Sequence, residues 1–286
     1  MGNLTFKLLK FSFISVLVAS AYSAPRRNLP GFSTSSITAN DDGSVGPVSI
    51  GFSINIFGAT RNSLFVNNNG NVTFDASLGS FTPTTLATLG AKIIAPYFAD
   101  VDTRGPGSGL VTYGNATVDG HNAFGVEWPN VGYYNASTNK TNTFELVIID
   151  RSDISPGAFD MEFNYDSMQW ETGSDPSSGG VNGLGGFSAR AGFANGVTGT
   201  GSISFELPGS GVNGGLINGG PNALVTHDLN TSVLGRYLFT GRGGTVNVVP
   251  QATTTPVGTP ATTTPVLMLS GMMLIGIVTY LKARTA

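Results

Sequence analysis

The pattern that most constrains this chain of 286 residues is a succession of short β-prone segments separated by turns rich in glycine and asparagine. The segment Phe159–Tyr165 alternates strictly between apolar and polar residues. Successive side chains of a strand point to opposite faces, so we expect a buried apolar face and a solvent face that carries Asp160 and Glu162. About ten such segments follow one another at spacings of about 8–15 residues, without regular alternation with helices. The sequence therefore predicts an all-β fold, a layered antiparallel sandwich-like domain.

Charge and cysteine content exclude several classes of function. All 17 acidic residues lie between Asp41 and Asp228, and only 10 of the basic residues lie outside the two terminal segments, which gives the part between those segments a net charge of −7. Nucleic-acid binding depends on phosphate neutralisation by Lys and Arg, so no nucleic-acid partner is expected. The absence of cysteine excludes disulfides, thiolate metal sites and cysteine nucleophiles.

The N-terminal residues carry the pattern of an exported protein. Residues 1–24 predict a signal-peptide helix, because Lys7 and Lys10 precede an apolar run that small residues follow. Residues 25–40 are polar and contain proline, so they predict an extended arm. Near the other end, the Thr/Pro-rich residues 243–265 predict a semi-rigid linker.

Residues 266–286 predict a C-terminal transmembrane helix or a sorting tail. They begin with sixteen mostly apolar, uncharged residues, Val266–Leu281, and Lys282 and Arg284 follow. This run is just short of the usual spanning length, and the basic residues after it predict a cytoplasmic C-terminus and an exported body. Two fates of the tail stay open, a permanent single-pass anchor and a cleaved sorting segment. The Pro-Glu-Pro signature of one class of sorting segment is absent.

The segment Ala91–Tyr113 holds the sharpest candidates for a site. Its apolar run ends at Asp100-Val101-Asp102, and a Gly/Pro-rich turn that begins with Arg104 follows. Asp100 and Asp102 would project from one face of a strand, so their like charges require a counter-ion. Two alternatives satisfy this requirement: Ca²⁺, which takes oxygen ligands, or an ion pair with Arg104.

Catalysis has little support in the sequence, and no catalytic or cofactor-binding residue is predicted. His121 and His227 lie in polar or Gly/Asn-rich segments, and no G-x-S-x-G motif is present. Carboxylate pairs for glycoside hydrolysis can be assembled from four glutamates, but their spacing selects no pair. These are Glu127, Glu145, Glu162 and Glu171.

Five motifs, taken together, resemble the nidogen-like (NIDO) extracellular domain, and we assign that domain to residues 41–242. Within it, the run Asn67–Asn71 also predicts a hairpin turn, because Asn and Gly tolerate positive φ. The motifs are FSINIFG, LFVNNNGNVTF, IAPYFADVDTR, FGVEW and QWETG.

The resemblance implies a non-catalytic, surface-anchored extracellular module for cell-matrix adhesion or matrix association. Its partner would be an extracellular matrix protein or a glycan, recognised through exposed aromatic residues, and the C-terminal helix would reach the membrane. No cofactor is expected apart from the candidate calcium ion at Asp100 and Asp102. Two alternatives are a secreted carbohydrate-active enzyme and a structural coat component without a discrete ligand.

Overall fold

A computed structural model describes residues 24–248 and confirms the prediction of an all-β fold. Two short 3₁₀ helices, Pro30–Ser33 and Leu86–Thr88, interrupt the strands. The strands are β1 (Ser35–Ser36), β2 (Ser44–Ile56), β3 (Ala59–Asn67), β4 (Asn71–Thr73), β5 (Lys92–Phe98), β6 (Thr112–Val118), β7 (His121–Tyr133), β8 (Ser137–Asp150), β9 (Phe159–Met168), β10 (Arg190–Asn195), β11 (Ser204–Glu206), β12 (Arg236–Arg242) and β13 (Thr245–Asn247).

The strands form two antiparallel sheets that pack against each other. The larger sheet has the order β1-β6-β7-β8-β9-β12-β13, and the smaller sheet has the order β11-β10-β5-β4-β3-β2. Strands β6 to β9 are sequential neighbours, whereas β10 lies beside β5, far from it in the chain. Residues on the segments that follow β5 and β9 are therefore brought together although about 75 residues separate them in sequence.

The core between the sheets is dominated by aromatic side chains. The rings of Trp128 and Phe144 stack with centroids 4.9 Å apart, and Tyr97 packs against Phe144 at 5.5 Å. Tyr97 lies on the smaller sheet, and its hydroxyl donates a hydrogen bond of 2.7 Å to the carbonyl of Trp170. The hydroxyl of Tyr165, on the larger sheet, donates one of 2.7 Å to the carbonyl of Pro96. Burying each large apolar side chain stabilises the fold by about 1.5–3 kcal/mol, and the tyrosine bonds fix how the two layers face each other.

The predicted alternation of β9 is confirmed on its apolar face, but the prediction for its polar face is wrong. Asp160 and Glu162 are buried rather than solvent-facing, with side chains 11% and 4% exposed. The guanidinium groups of Arg151 and Arg242 both bind Asp160, and that of Arg27 binds Glu162. The period-2 pattern predicted which face these carboxylates occupy, whereas two of the three arginines that cover that face, Arg27 and Arg242, come from distant parts of the chain.

The segment expected to be an extended arm, residues 25–40, packs against the domain. It contains the first 3₁₀ helix and β1, and Phe32 is fully buried in a small cluster with Val118 and Val147. Gly125 on β7 makes room for this ring, because a Cβ there would lie 2.2 Å from it. The sequence signal for this packing was the presence of apolar residues, Leu29, Phe32 and Ile37, within a polar segment.

The predicted signal helix and the predicted C-terminal transmembrane helix lie outside the described residues, apart from Ala24. Within residues 24–248 no helix is long and apolar enough to cross a bilayer.

Candidate functional site

An open pocket lies where the loop before β2, the end of β5 and the loop after β9 meet. Carboxylate oxygens of Asp41, Asp42 and Asp100 lie within 4.8 Å of one another there. Asp175 and Tyr134 also line the cavity, which has a volume of about 450 Å³. We call this site the acidic pocket. Asp42 is exposed at the site, Asp41 is partly buried and Asp100 is 2% exposed.

Asp100 is placed by the end of the central strand β5 and by a glycine opposite it. The strand leaves the smaller sheet at Phe98, and the next residues pair with the end of β7, where the backbone N–H of Asp102 donates to the carbonyl of Gly132 and the carbonyl of Asp100 accepts from the N–H of Tyr134, both at 3.2 Å. A Cβ at Gly173 would lie 1.9 Å from Oδ2 of Asp100, so only glycine leaves room for this carboxylate. The QWETG motif therefore contributes to the pocket through the glycine that ends it.

The asparagine-rich hairpin turn between β3 and β4 supports the other side of the pocket. Asn69 donates a hydrogen bond of 2.8 Å to Oδ1 of Asp42, and its own Oδ1 accepts one of 3.0 Å from the backbone N–H of Val101. Asn68 donates to the backbone carbonyls of Asp41 and Val101. This turn was predicted, but its asparagines are buried and tie the acidic loops together instead of facing solvent.

The electrostatics of the acidic pocket disfavour ionised carboxylates. Burial, followed by the charges of Asp41 and Asp42, raises the pKa of Asp100 to about 8. Burial, with the charges of Asp102 and Asp42, raises the pKa of Asp41 to about 6. Asp175 differs, because hydrogen bonds from Ser177 and Ser178 outweigh its burial and lower its pKa to about 2.

Asp102, the second residue of the predicted calcium rim, lies outside this group of oxygens. Its fully buried carboxylate accepts hydrogen bonds from Nη2 of Arg104 at 2.6 Å and from the backbone N–H of Ala136 at 2.7 Å. Nε and the backbone N–H of Arg104 add two more, at 2.9 and 3.0 Å. Burial alone would raise the pKa of Asp102, but these donors outweigh it and hold the pKa below its ordinary value. The two aspartates therefore have different surroundings: Asp102 forms the ion pair with Arg104, and Asp100 lies beside Asp41 and Asp42.

Three of the four candidate glutamates form a row across the larger sheet, which we call the glutamate row. Glu127 on β7 is directly opposite Glu145 on β8, and Glu162 lies on β9 beside them. All three are at least 94% buried. Burial raises the pKa of Glu127 and of Glu145.

The N-terminal segment, residues 24–28, covers the glutamate row, and we call it the N-terminal strap. Arg27 makes a bidentate ion pair with Glu162 at 2.6 and 2.9 Å, and its backbone N–H donates to Glu145 at 3.0 Å. Arg236 on β12 holds the strap by donating to the carbonyls of Ala24 and Pro25. The row is therefore closed by the chain's own cations.

Glu171, the fourth candidate, has a structural role. Its two carboxylate oxygens accept hydrogen bonds from the backbone N–H groups of Gly185 and Gly214 at 2.9 and 2.8 Å. These contacts join two glycine-rich loops across one buried carboxylate. None of the four glutamates lines the acidic pocket.

The model of the nidogen-like domain family matches residues 62–119 and 108–242, so the chain belongs to that family. Among curated proteins, the chain is 30% identical to mouse alpha-tectorin over 226 residues and 29% identical to the human protein over the same length. Chicken alpha-tectorin is 29% identical over 225 residues. Each alignment covers 70% of this chain but only 10% of the relative. No solved structure gives a significant match.

Sequence reasoning identified Asp100 but missed Asp41, Asp42 and Asp175. The Asp41-Asp42-Gly43 sequence predicted a turn, and nothing in its spacing indicated that it would meet a segment almost 60 residues later. The consecutive asparagines Asn68 and Asn69 were the available signal, because buried amides recur where loop carbonyls and carboxylates need donors.

Proposed function

We propose that this protein is a non-catalytic module that associates with the extracellular matrix and is displayed at the cell surface. The observation that carries the proposal is membership of the nidogen-like family together with the similarity to alpha-tectorin, an extracellular matrix protein. The chain spans about a tenth of that relative's length, so the similarity supports the role of a single module.

The proposed partner is a matrix protein or a glycan, bound through a loop that presents apolar side chains. Val181 is 77% exposed, Phe187 is 53% exposed and Leu184 is 37% exposed, all within the loop between β9 and β10. Most aromatic residues of the described chain are buried or partly buried, whereas Phe187 is more than half exposed. Exposed aromatic residues contribute disproportionately to protein interfaces, which makes Phe187 the candidate anchor.

The arrangement of the glutamates supports a non-catalytic role over glycoside hydrolysis. Hydrolysis needs two carboxyl groups that flank a bound sugar, one of them free to donate a proton. The N-terminal strap covers Glu127, Glu145 and Glu162, and two backbone N–H groups engage Glu171. A sugar would have to displace the strap to reach the row.

Binding of the purified full chain to an array of matrix proteins and glycans tests the proposal. We expect binding to at least one component and a reduction of about tenfold or more in Phe187→Ser, since an interface anchor contributes about 2 kcal/mol. Ile203→Ser is the matched control, because Ile203 is 42% exposed on a different loop. Absence of binding to every component, or an equal loss in both variants, would contradict the proposal.

The proposed display has its own test. We propose that residues 1–24 direct export and that residues 266–286 anchor the chain. The predicted linker, residues 243–265, begins within the sheet, because Thr245–Asn247 form β13, so we propose a stalk only for the part that follows β13. Cell fractionation with and without surface protease should place the nidogen-like domain in the protease-sensitive membrane fraction. Replacing Lys282 and Arg284 with glutamine should weaken retention. Recovery in the medium of a shortened chain that lacks residues 266–286 would argue for a cleaved tail.

A further inference from the structure

We propose that the acidic pocket is a calcium site whose protein ligands are carboxylate oxygens of Asp41, Asp42 and Asp100. The proposed ligand set differs from the calcium rim predicted from the sequence, because it contains Asp41 and Asp42 of the loop before β2 and does not contain Asp102. The proposal does not depend on matrix association, since it concerns a cation and the stability of the domain.

The first argument is that Asp100 is buried without an adequate donor. Its side chain belongs to a residue 2% exposed, and the nearest donor is Oγ of Ser178 at 3.4 Å. An O–H···O hydrogen bond is ordinarily 2.5–3.0 Å long, so this contact is too long to compensate an ionised carboxylate. A buried charge without a partner is strongly unfavourable, and a cation bound among these oxygens would remove the penalty.

Two neighbouring carboxylates also have an unpaired oxygen. Oδ1 of Asp41 and Oδ2 of Asp175 are buried and have no hydrogen-bond partner. Among the ion pairs of residues 24–248, that between Arg104 and Asp41 is the one that reaches the pocket carboxylates, and it uses Oδ2 of Asp41 at 2.9 Å. The same Nη2 atom also binds Asp102 at 2.6 Å, so its charge is shared. The cluster therefore keeps a surplus of negative charge.

The distances fit a single calcium ion. Ca²⁺–O bonds are about 2.3–2.6 Å long, so oxygens on opposite sides of one ion lie about 5 Å apart or closer. The three carboxylates meet this limit, since their oxygens are within 4.8 Å of one another. The cavity of about 450 Å³ leaves room for water or a partner's oxygen at the remaining positions.

The donor set selects calcium over softer or smaller metals. The polar side chains that line the pocket are carboxylates and hydroxyls, beside Phe81 and Pro176; the chain has no cysteine, and neither histidine lines the pocket. Zinc prefers nitrogen and sulfur ligands. Magnesium requires near-ideal octahedral geometry and loses its water reluctantly, whereas calcium accepts irregular sets of six to eight oxygens.

Thermal unfolding of the full chain with Ca²⁺ or with a chelator tests the site, together with calorimetric titration. Extracellular calcium modules bind with Kd of about 0.1–1 mM, so about 10 mM Ca²⁺ should raise Tm by about 3–10 °C. Mg²⁺ at the same concentration should give a smaller shift. Asp100→Asn should abolish the calcium-dependent shift while leaving the Tm in chelator unchanged or higher, because Asp100 makes no strong hydrogen bond that the variant would lose.

Two further variants make the test decisive. Asp42→Asn keeps an oxygen that can accept the bond from Asn69 and changes an exposed residue, so it should fold and lose the calcium shift. Asp75→Asn is the matched control, since Asp75 is an exposed aspartate paired with Arg61 and Lys92, and it should keep the full shift. The proposal is overturned if the native chain shows neither heat nor a Tm shift with Ca²⁺. It is also overturned if the shift persists in both Asp100→Asn and Asp42→Asn.

Discussion

The glutamate row and the acidic pocket differ in what lies opposite their carboxylates. In the row, Arg27 gives Glu162 a bidentate partner, and backbone N–H groups of the strap reach Glu145. In the pocket, one shared guanidinium reaches Asp41, while Asp100 has only a contact of 3.4 Å with Ser178. The row faces a covering segment of the same chain, whereas the pocket opens to solvent.

This contrast shows how the fold accommodates buried carboxylate side chains. Where a carboxylate belongs to the structure, the chain supplies donors in matched geometry, as it does for Asp102 and Glu171. Asp100 departs from that pattern although it is only two residues from Asp102. Glu127 departs from it in part, because its Oε1 has no hydrogen-bond partner, but Arg26 lies 3.9 Å from that oxygen, whereas no cation of residues 24–248 pairs with Asp100. A buried polar group that lacks a partner requires an explanation, and a bound cation supplies one here.

The largest expected effect comes from opening the glutamate row. Arg27→Gln removes the bidentate partner of the buried Glu162, and breaking a buried ion pair leaves an uncompensated charge. Because the Arg27 side chain is 21% exposed, we expect the free energy of unfolding to fall by about 2–4 kcal/mol. Urea unfolding of the full chain measures this change.

The variant Arg27→Lys separates the effect of the positive charge from the effect of the bidentate hydrogen bonds. Lysine keeps the positive charge but cannot make two parallel hydrogen bonds. The free energy of unfolding of Arg27→Lys should therefore lie between that of the native chain and that of Arg27→Gln. If Arg27→Gln and the native chain have the same urea midpoint of unfolding, the strap does not neutralise the glutamate row.

The second prediction compares Asp102 with Asp100, the two aspartates that the sequence placed in one calcium rim. Asp102→Asn replaces the carboxylate that binds Arg104 and Ala136, and hydrogen bonds to charged groups contribute about 1.5–3 kcal/mol each. We expect a loss of about 2 kcal/mol in chelator. Asp100→Asn should cost nothing under the same conditions, because its carboxylate has no comparable donors. Equal losses in the two variants would show that Asp100 is as well compensated as Asp102.

The sequence predicted the layers better than it predicted the site, and β9 shows why. Strict alternation along Phe159–Tyr165 reports on local geometry, so the buried apolar face followed directly. The burial of Asp160 and Glu162 depends on arginines up to 135 residues away, which no local pattern encodes.

The pocket shows the same limit more strongly. The pair Asp100 and Asp102 was found because it follows an apolar strand, and the proposed pairing with Arg104 was correct for Asp102 alone. The turn at Asp41 reaches the pocket through contacts with Asn68 and Arg104, both distant in the chain. Family resemblance identified the domain, but it assigned no role to these asparagines.

A pH series gives the third test of the comparison. Burial raises the pKa of Glu145 in the folded state, so the unfolded chain releases this proton at lower pH than the folded chain does. Protonated Glu145 therefore contributes to the free energy of unfolding. This contribution is fully present below the ordinary glutamate pKa and is lost as the pH rises through the pKa that Glu145 has in the folded state. The native chain should therefore lose stability over this range relative to Glu145→Gln. Urea unfolding from acid to neutral pH measures the difference, and parallel curves would refute the assignment.

The smallest expected effect concerns a carboxylate that is neither covered by the strap nor buried in the pocket. Asp75 is 51% exposed and pairs with Arg61 at 2.7 Å and with Lys92 at 2.8 Å. Exposed ion pairs contribute about 0–1 kcal/mol, because water screens the charges and both side chains lose entropy. Asp75→Asn should therefore change the free energy of unfolding by less than about 1 kcal/mol, and salt should reduce even that. A loss as large as that of Arg27→Gln would mean that short ion-pair distances, rather than burial, decide which carboxylates this domain must neutralise.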